Sequence, residues 1–419
     1  MVPSLARLQM TSGESWTHQQ LKGEKRMPTS DERHQVDIAW FRHHLLDEIL
    51  PAWRAAITAE GLFACHFDHD WTPQAKGFGT LVSQTRLLYN FAQGYALTGE
   101  SVYRDAVESG SRFLMDHFWD AKFGGWVRAC APTGEIVDDV KDCYGHAFVL
   151  FGLAHASATT GSPRCREALQ ETWTVMTDRF RDGQGGYRYF MSRDFRDVDP
   201  QRSQNPLMHL FEALLAAGDL PGMGELHREA VTLADFVLNR LRRPEDFVLP
   251  EVYDADWNPL PAAQEGRIDV GHAFEWAFLM SEASARGLSD TYAAEAARFL
   301  AYGMQLGYDR EEGGIFSPVA PDGSLLHRRK GWWEQCETIR ALLRFVDRHA
   351  RPDLNEPLYQ TVSYVRDQFV DARHGGWHSF REPGTSPVGQ AKGHETKLDY
   401  HVVGMCMEAI RVAEAAQGD

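Results

Sequence analysis

Two adjacent glycines followed by an aromatic or branched residue recur along this chain, as FGGWVRA (123–129), QGGYRYF (184–190), EGGIFSP (312–318) and HGGWHSF (374–380). The second glycines fall at 125, 186, 314 and 376, a step of about 62 residues with one double step. The skipped position near 248 holds DFVLPEVYD, an extended stretch without the glycines, and GLFACHFD near 62 is an earlier equivalent. A unit of that size cannot bury its apolar face alone, so the units must pack on one another.

Between the markers the pattern is helical. DAVESGSRFLMDHFW, REALQETWTVMTDRF, REAVTLADFVLNRL, TYAAEAARFLAYGMQLG and LYQTVSYVRDQFV are amphipathic, with apolar residues at i, i+3, i+4 spacing. They alternate with YGHAFVLFGLAHASATTG, MHLFEALLAAG, GHAFEWAFLMSEASARG, ETIRALLRFVDRHA and YHVVGMCMEAIRVAEAA, which are more uniformly apolar. Several segments end in Thr-Gly or Arg-Gly, as helix C-caps do. Each unit therefore supplies an outer amphipathic helix, an inner apolar helix and a short β-like loop. Six such hairpins predict an all-α fold, an (α/α)6 barrel with the β-like loops at the active-site face. An open solenoid is the competing arrangement. Closure is favoured because helices apolar all round need cover on both sides. Residues 31–419 are read as one catalytic barrel domain. Residues 1–30 read as a flexible extension, with Met27 a second candidate for the start of translation.

At 419 residues and 43% hydrophobic, the chain can bury a large core. A net charge of −16 argues against a nucleic-acid or anionic-membrane partner, both of which need basic surface. No apolar run approaches the ~18 residues of a membrane span, and the N-terminus lacks a signal-peptide core. Six scattered cysteines without a C-x-x-C pair fit reduced thiols in a cytoplasmic protein.

In such a barrel the starts of the inner helices surround one pocket, and the unusual polar residues cluster there. Arg86, Tyr144 with His146, Asn205 with His209, His272 with Glu275, Trp332 and Trp333 with Glu337, and Tyr400 with His401 give each unit at least one. Aromatics that stack on a sugar face, with polar groups that read hydroxyls, suit a polyhydroxylated ligand. Any one of these histidines has a structural role available to it; Glu212 is given to structure, and His18, His155, His327 and His378 are left aside. Three histidines at equivalent places in three units are harder to assign to packing. A metal site is disfavoured, since none of these helix-start histidines belongs to an H-x-x-x-H pair. A glycosidase needs two carboxylates across the bond, an option that Glu251, Glu275 and Glu337 keep open. Proton transfer beside a sugar carbonyl fits best, because a helix N-terminus keeps imidazole neutral and available as a base. Glu275, three residues after His272, is expected to hold that ring in place.

These segments resemble the N-acylglucosamine 2-epimerase superfamily over most of residues 35–415. NPLMHLFEALL is similar to its N-x-x-M-H-x-x-E-A segment, GHAFEWAFLM to G-H-x-x-E-W/A, WWEQCETI to W-W-P-x-x-E-A, and KLDYHVVGMCMEAI to the terminal Y-H helix. EVYDADWNPLP resembles the E-x-x-D-x-x-W-N-P loop of the mannose and sulfoquinovose isomerase branch. The resemblance implies cofactor-free and metal-free acid–base chemistry at C2 of a free sugar, with His272 and His401 as the proton-exchanging pair. Arg86 would steady the oxyanion. His209, Asn205, Tyr144 and Glu251 would bind substrate, Trp333 would stack on it, and Glu275 or Glu337 would orient a histidine. One departure is Glu334, which stands where the family carries proline and puts a charge near the mouth. Isomerisation of D-mannose to D-fructose through a cis-enediol is the first expectation, and 2-epimerisation of an N-acylglucosamine, mannose/glucose or cellobiose type is the alternative. The expected partner is a small sugar, with no nucleic acid or membrane; a homodimer is left open. Arg328, Arg329 and Lys330 are candidates for recognising an anionic substituent.

Overall fold

The structure, a computed structural model, describes residues 36–196, 199–243, 247–261, 266–387 and 389–418. The expected extension over 1–30 and the alternative start at Met27 lie outside the described residues. Helix α1 begins as Ile38–His43 and continues through a π-helical His44–Ile49 into Leu50–Trp53. The others are α2 (Leu81–Thr98), α3 (Ser101–Phe113), α4 (Cys143–Thr160), α5 (Pro163–Val175) and α6 (Gln204–Gly218). They are followed by α7 (Glu225–Phe236), α8 (Val270–Ala285), α9 (Tyr292–Leu306), α10 (Trp332–Arg348), α11 (Asn355–Gln368) and α12 (Tyr400–Gly418).

Even-numbered helices form the inner ring. Each packs on the next, α2 on α4, α6, α8, α10 and α12 in turn, and α12 packs back on α2. The ring is closed, as its sequence requires. In α4 Cys143, Gly145–Phe151 and Leu153 are all buried, whereas α7 buries only Leu226, Ala230, Leu233 and Ala234. The Thr-Gly and Arg-Gly endings act as read: Gly99, Gly161 and Gly287 all take φ of 69°, the left-handed conformation that stops a helix. Caps also set the starts, with Thr80 and Ser83 forming a reciprocal capping box and the Asp142 carboxylate accepting from the Gly145 N–H.

The β-like loops are real but short. A three-stranded sheet joins Gly79–Thr80, Ala129–Cys130 and Ile136–Asp138. Antiparallel two-residue pairs join Lys141–Asp142 to Phe190–Met191, Arg202–Ser203 to Val252–Tyr253, and Lys330–Gly331 to Phe380–Arg381. One strand in each sheet, ending at Thr80, Asp142, Ser203 or Gly331, leads directly into an inner helix, so it fixes where that helix's first turn points.

The glycine pairs explain how neighbouring units lock. Gly124–Gly125, Gly313–Gly314 and Gly375–Gly376 all have positive φ, in turns closed by hydrogen bonds to Asp120, Asp309 and Asp371. In two of them an aromatic from elsewhere lies on the second glycine, a Cβ at Gly125 coming within 2.8 Å of Phe195 and at Gly376 within 2.7 Å of Trp71, whereas Gly314 faces the Gln335 amide. The Asp182 turn is one residue shorter, and only Gly185 of that pair is left-handed; a Cβ on Gly186 would collide with the Trp257 ring. Trp71, Phe195 and Trp257 themselves hold positive φ at 67°, 62° and 62°. Trp71 reaches Gly376 from the first unit, so this same lock closes the ring. The sequence also repeats a cation about 21 residues after each turn aspartate. Lys141, Lys330 and Lys392 bond Asp120 (3.2 Å), Asp309 (2.7 Å) and Asp371 (2.6 Å), and Arg202 lies 3.8 Å from Asp182. Lys330 is thus buried and committed to a loop staple, which removes it from the residues expected to meet an anionic substituent.

Candidate active site

The inner-helix starts converge on a cavity of about 260 Å³ lined by Arg86, Tyr144, Asn205, His209, Asp269, His272, Glu275, Trp332, Trp333, Thr396 and His401. Eight of the ten expected site residues line it; Glu251 and Glu337 lie behind the histidines. His146 drops out. Its Nδ1 meets the Asp142 carbonyl at 2.8 Å and its Nε2 accepts the Trp126 N–H at 3.0 Å, so it braces the Gly-Gly turn and is structural.

His272 stands at the second residue position after the start of α8, with its ring 4.9 Å from the Trp333 ring. His401, at the start of α12, lies 5.5 Å from the same indole. Each has its own carboxyl partner. Glu251 Oε1 is 2.9 Å from His272 Nδ1, and Glu337 Oε1 is 2.7 Å from His401 Nδ1. This corrects the expectation that Glu275 holds His272: three residues along a helix places Glu275 on the same face, but it points toward His209 (3.8 Å). Glu251, expected to touch substrate, instead comes from the loop before the barrel strand pair and is fixed by Gln204, whose Nε2 donates to both its oxygens at 3.0 and 2.9 Å. Trp276 Nε1 in turn donates to Gln204 Oε1 at 2.8 Å. With Gln204 and Glu251 so arranged, one Nδ1–H is directed at the carboxylate and Nε2 is free to face the cavity.

The two histidines are driven in opposite directions. Burial pulls His272 down, but the Glu251 carboxylate, with Asp269 and Glu275, outweighs it and raises the ring to about 10. His272 is therefore an imidazolium near neutral pH. Burial pulls His401 well below the ordinary imidazole value, and the Arg86 guanidinium, with His209, reinforces it. Glu337 is pushed up by burial, with Arg340 pulling against and Glu212 adding to the rise. His401 thus meets its carboxyl partner as a neutral imidazole, whereas His272 meets its own as a cation.

Arg86 spans the floor between them. Its guanidinium donates to the Thr396 carbonyl and to Tyr144 Oη (2.8 Å), and it lies over the rings of Phe148 (4.6 Å) and Tyr400 (5.0 Å). His209 Nδ1 contacts Glu212 Oε2 at 3.3 Å, and Tyr400 Oη donates to the same carboxylate. Burial lowers His209, while burial's opposing effect on Glu212 is overcome by His209 and Arg340, which hold it at about 2. Glu275 has neither carboxyl oxygen hydrogen-bonded, and burial with Glu337 and Glu212 pushes it well above the carboxylate range. Asn205 Oδ1 is likewise without a protein partner. His209, Glu212 and Glu275, and Glu275, Glu337 and His401, each bring side-chain atoms within 4.8 Å of one another, close enough to hold a divalent ion. In this structure His209 pairs with Glu212 and His401 with Glu337, Arg340 approaches both carboxylates, and Glu275 is left without a hydrogen bond.

Sequence reasoning missed Gln204, Asp269, Thr396 and Arg340. Gln204 immediately precedes Asn205, Asp269 lies two residues before the GHAFEW segment, and Arg340 follows Glu337 by one helical turn. Only their neighbours across the barrel give them a role.

The N-acylglucosamine 2-epimerase (GlcNAc 2-epimerase) family pattern matches residues 61–405. The chain belongs to that family. A D-mannose isomerase of Marinomonas mediterranea is 26% identical over 85% of this chain and 92% of its own length. A cellobiose 2-epimerase of Bacteroides fragilis is 22% identical over 78% and 86% respectively. A crystal structure of D-mannose isomerase superposes with a TM-score of 0.84 at 24% identity, covering 92% of this chain and 99% of that one, and shows the shared fold. This member of the family is accordingly an enzyme of the sugar isomerase and epimerase class. Among the described residues no helix is long and apolar enough to cross a membrane. The six cysteines are free and buried.

Proposed function

We propose that this chain interconverts an aldose and a ketose by proton transfer between histidines and a free monosaccharide, with D-mannose to D-fructose as the reaction. The observation that carries it is the placement of His272 and His401 against one indole in one cavity, each with its own carboxyl partner; burial and those neighbours drive the two rings in opposite directions, which supplies an acid and a base at one pH. Relatives named D-mannose isomerase support the choice of sugar.

In this reading Trp333 stacks on the sugar, and His209, backed by Glu212, assists ring opening. His401 takes the C2 proton of the open aldose while His272 gives its proton to O1, forming the cis-enediol. The O2 proton then returns to His272 and His401 delivers its proton to C1. No proton is gained or lost. Arg86 offsets the negative charge that builds on the oxygens between the two transfers. Every step is assigned to a side chain, without a metal or cofactor.

The test is one NMR sample of enzyme, chelator and D-mannose in heavy water. Fructose formed at an undiminished rate with chelator supports the reading; turnover that disappears on chelation and returns with a metal sinks the metal-free part. A 2-epimerase is the second reading, favoured by the placement of both histidines against one indole, from which either can serve one face of C2. Glucose deuterated at C2, without fructose, would establish it. No change in mannose would refute both for this sugar and turn the assay to N-acylated, disaccharide and sulfonated substrates.

A further inference from the structure

Glu334 occupies the third position of α10, in the first turn, and is 7% exposed. Its Cγ lies over Gly271, where a Cβ would come within 2.8 Å, and the Trp333 ring packs on the same face of that glycine at 2.7 Å. Gly271 immediately precedes His272, so this carboxyl is inserted where the starts of α8 and α10 meet. Its Oε2 is buried without a hydrogen-bond partner. Asp269, the N-cap of α8, is the carboxyl that acts on it most strongly; Ser317 Oγ donates to Asp269 Oδ1, and the Asp269 N–H donates to Glu251 at 3.2 Å.

We infer that Glu334 is a positioning residue for the proton chemistry of His272: it is held protonated at neutral pH, and its ionisation slows turnover. This rests on the proposed acid role of His272. Burial of an unpartnered carboxyl already disfavours its charged form, and repulsion from the Asp269 carboxylate adds to that, so Glu334 keeps its proton. Losing that proton places a further negative charge beside His272. The imidazolium then holds its proton more tightly and becomes a weaker acid, and an anionic enediolate nearby is disfavoured. The charged groups facing this point are Asp269 and His272 from α8, Glu251 from the loop behind them, and Arg329 from the segment entering α10, with Arg267 acting on Asp269. Arg329 and His272 pull Glu334 down, but burial and then Asp269 outweigh them and raise it to about 8.

The experiment is the pH dependence of kcat for wild type and Glu334→Gln. Wild type should lose rate on an alkaline limb near pH 8. In E334Q that limb should move toward the value for His272, so kcat at pH 9 relative to pH 7 rises about tenfold over wild type. A ratio changed less than twofold in a variant with native circular dichroism overturns the inference. A purely structural role would lower kcat or stability without moving the limb. Infrared titration gives a second readout that needs no turnover: in the wild-type minus E334Q difference, which removes the raised Glu275 and Glu337 carboxyls, a protonated-carboxyl band present at pH 7 should vanish through pH 8. Its persistence to pH 10 or its absence at pH 7 refutes the protonation claim. Failure of the proposed function is separate, because it would appear as no sugar conversion by wild type at any pH.

Discussion

Replacing Glu251 with glutamine tests the acid–base asymmetry most directly. The side chain keeps its shape but loses the charge that holds His272 as imidazolium. Against an ordinary value of 6.5, the ring stands at about 10, so its cationic form is favoured by about 5 kcal/mol on a scale of 1.36 kcal/mol per unit. This agrees in size with the ~3–5 kcal/mol lost when one partner of a buried ion pair is removed. Without Glu251, burial is left largely unopposed and the ring should fall to 6.5 or below. At pH 7.5 the imidazolium fraction then drops from nearly complete to roughly a tenth or less, so kcat/KM should fall at least about tenfold. The alkaline limb should move below pH 7, and the loss relative to wild type should shrink on acidification. Stability follows the same linkage. A raised histidine stabilises the fold fully below the unfolded value of 6.5, and that stabilisation is lost as pH rises through about 10. The urea midpoint of wild type should therefore exceed that of E251Q most below pH 6.5, and the gap should close toward pH 10. An E251Q enzyme with wild-type kcat/KM at pH 7.5 and an unmoved alkaline limb would refute the assignment.

Other sites make shorter predictions. His401→Ala and His272→Ala should each abolish sugar conversion while circular dichroism stays native; wild-type-like turnover in either removes it from the chemistry. Gly186→Ala drives a Cβ into Trp257, and should lower stability by about 1–3 kcal/mol as an overpacked contact, seen as a reduced urea midpoint. Asp120→Asn strands the buried Lys141 ammonium, which burial lowers against the Asp120 pull to about 8. The expected loss is about 3–5 kcal/mol near neutral pH, and an unchanged midpoint would show the staple to be dispensable.

Sequence and structure divided the work unevenly. The 62-residue glycine period, the alternation of one-sided and all-round apolar helices, and the Thr-Gly and Arg-Gly stops were legible because each is set by residues near in the chain. So was the gathering of Arg86, Asn205, His209, His272 and His401 on one face, since all lie within the first two turns of inner helices. Partner choice was not legible. Helical spacing put Glu275 beside His272, yet the structure pairs His272 with Glu251, 21 residues upstream, and His401 with Glu337, 64 residues upstream. His146 looked like a pocket residue and proved a brace for Trp126. The repeated Lys–Asp staple was written in the sequence at constant spacing, but its meaning needed the turn geometry that brings the ammonium to the carboxylate. The sequence by itself determined the helices, their order, the need to close a ring and the residue types at its mouth. Only the tertiary structure decided which carboxyl faces which imidazole, and so which histidine carries a proton. Charge state depends on burial and on distances of a few ångström across the barrel, which local periodicity does not encode.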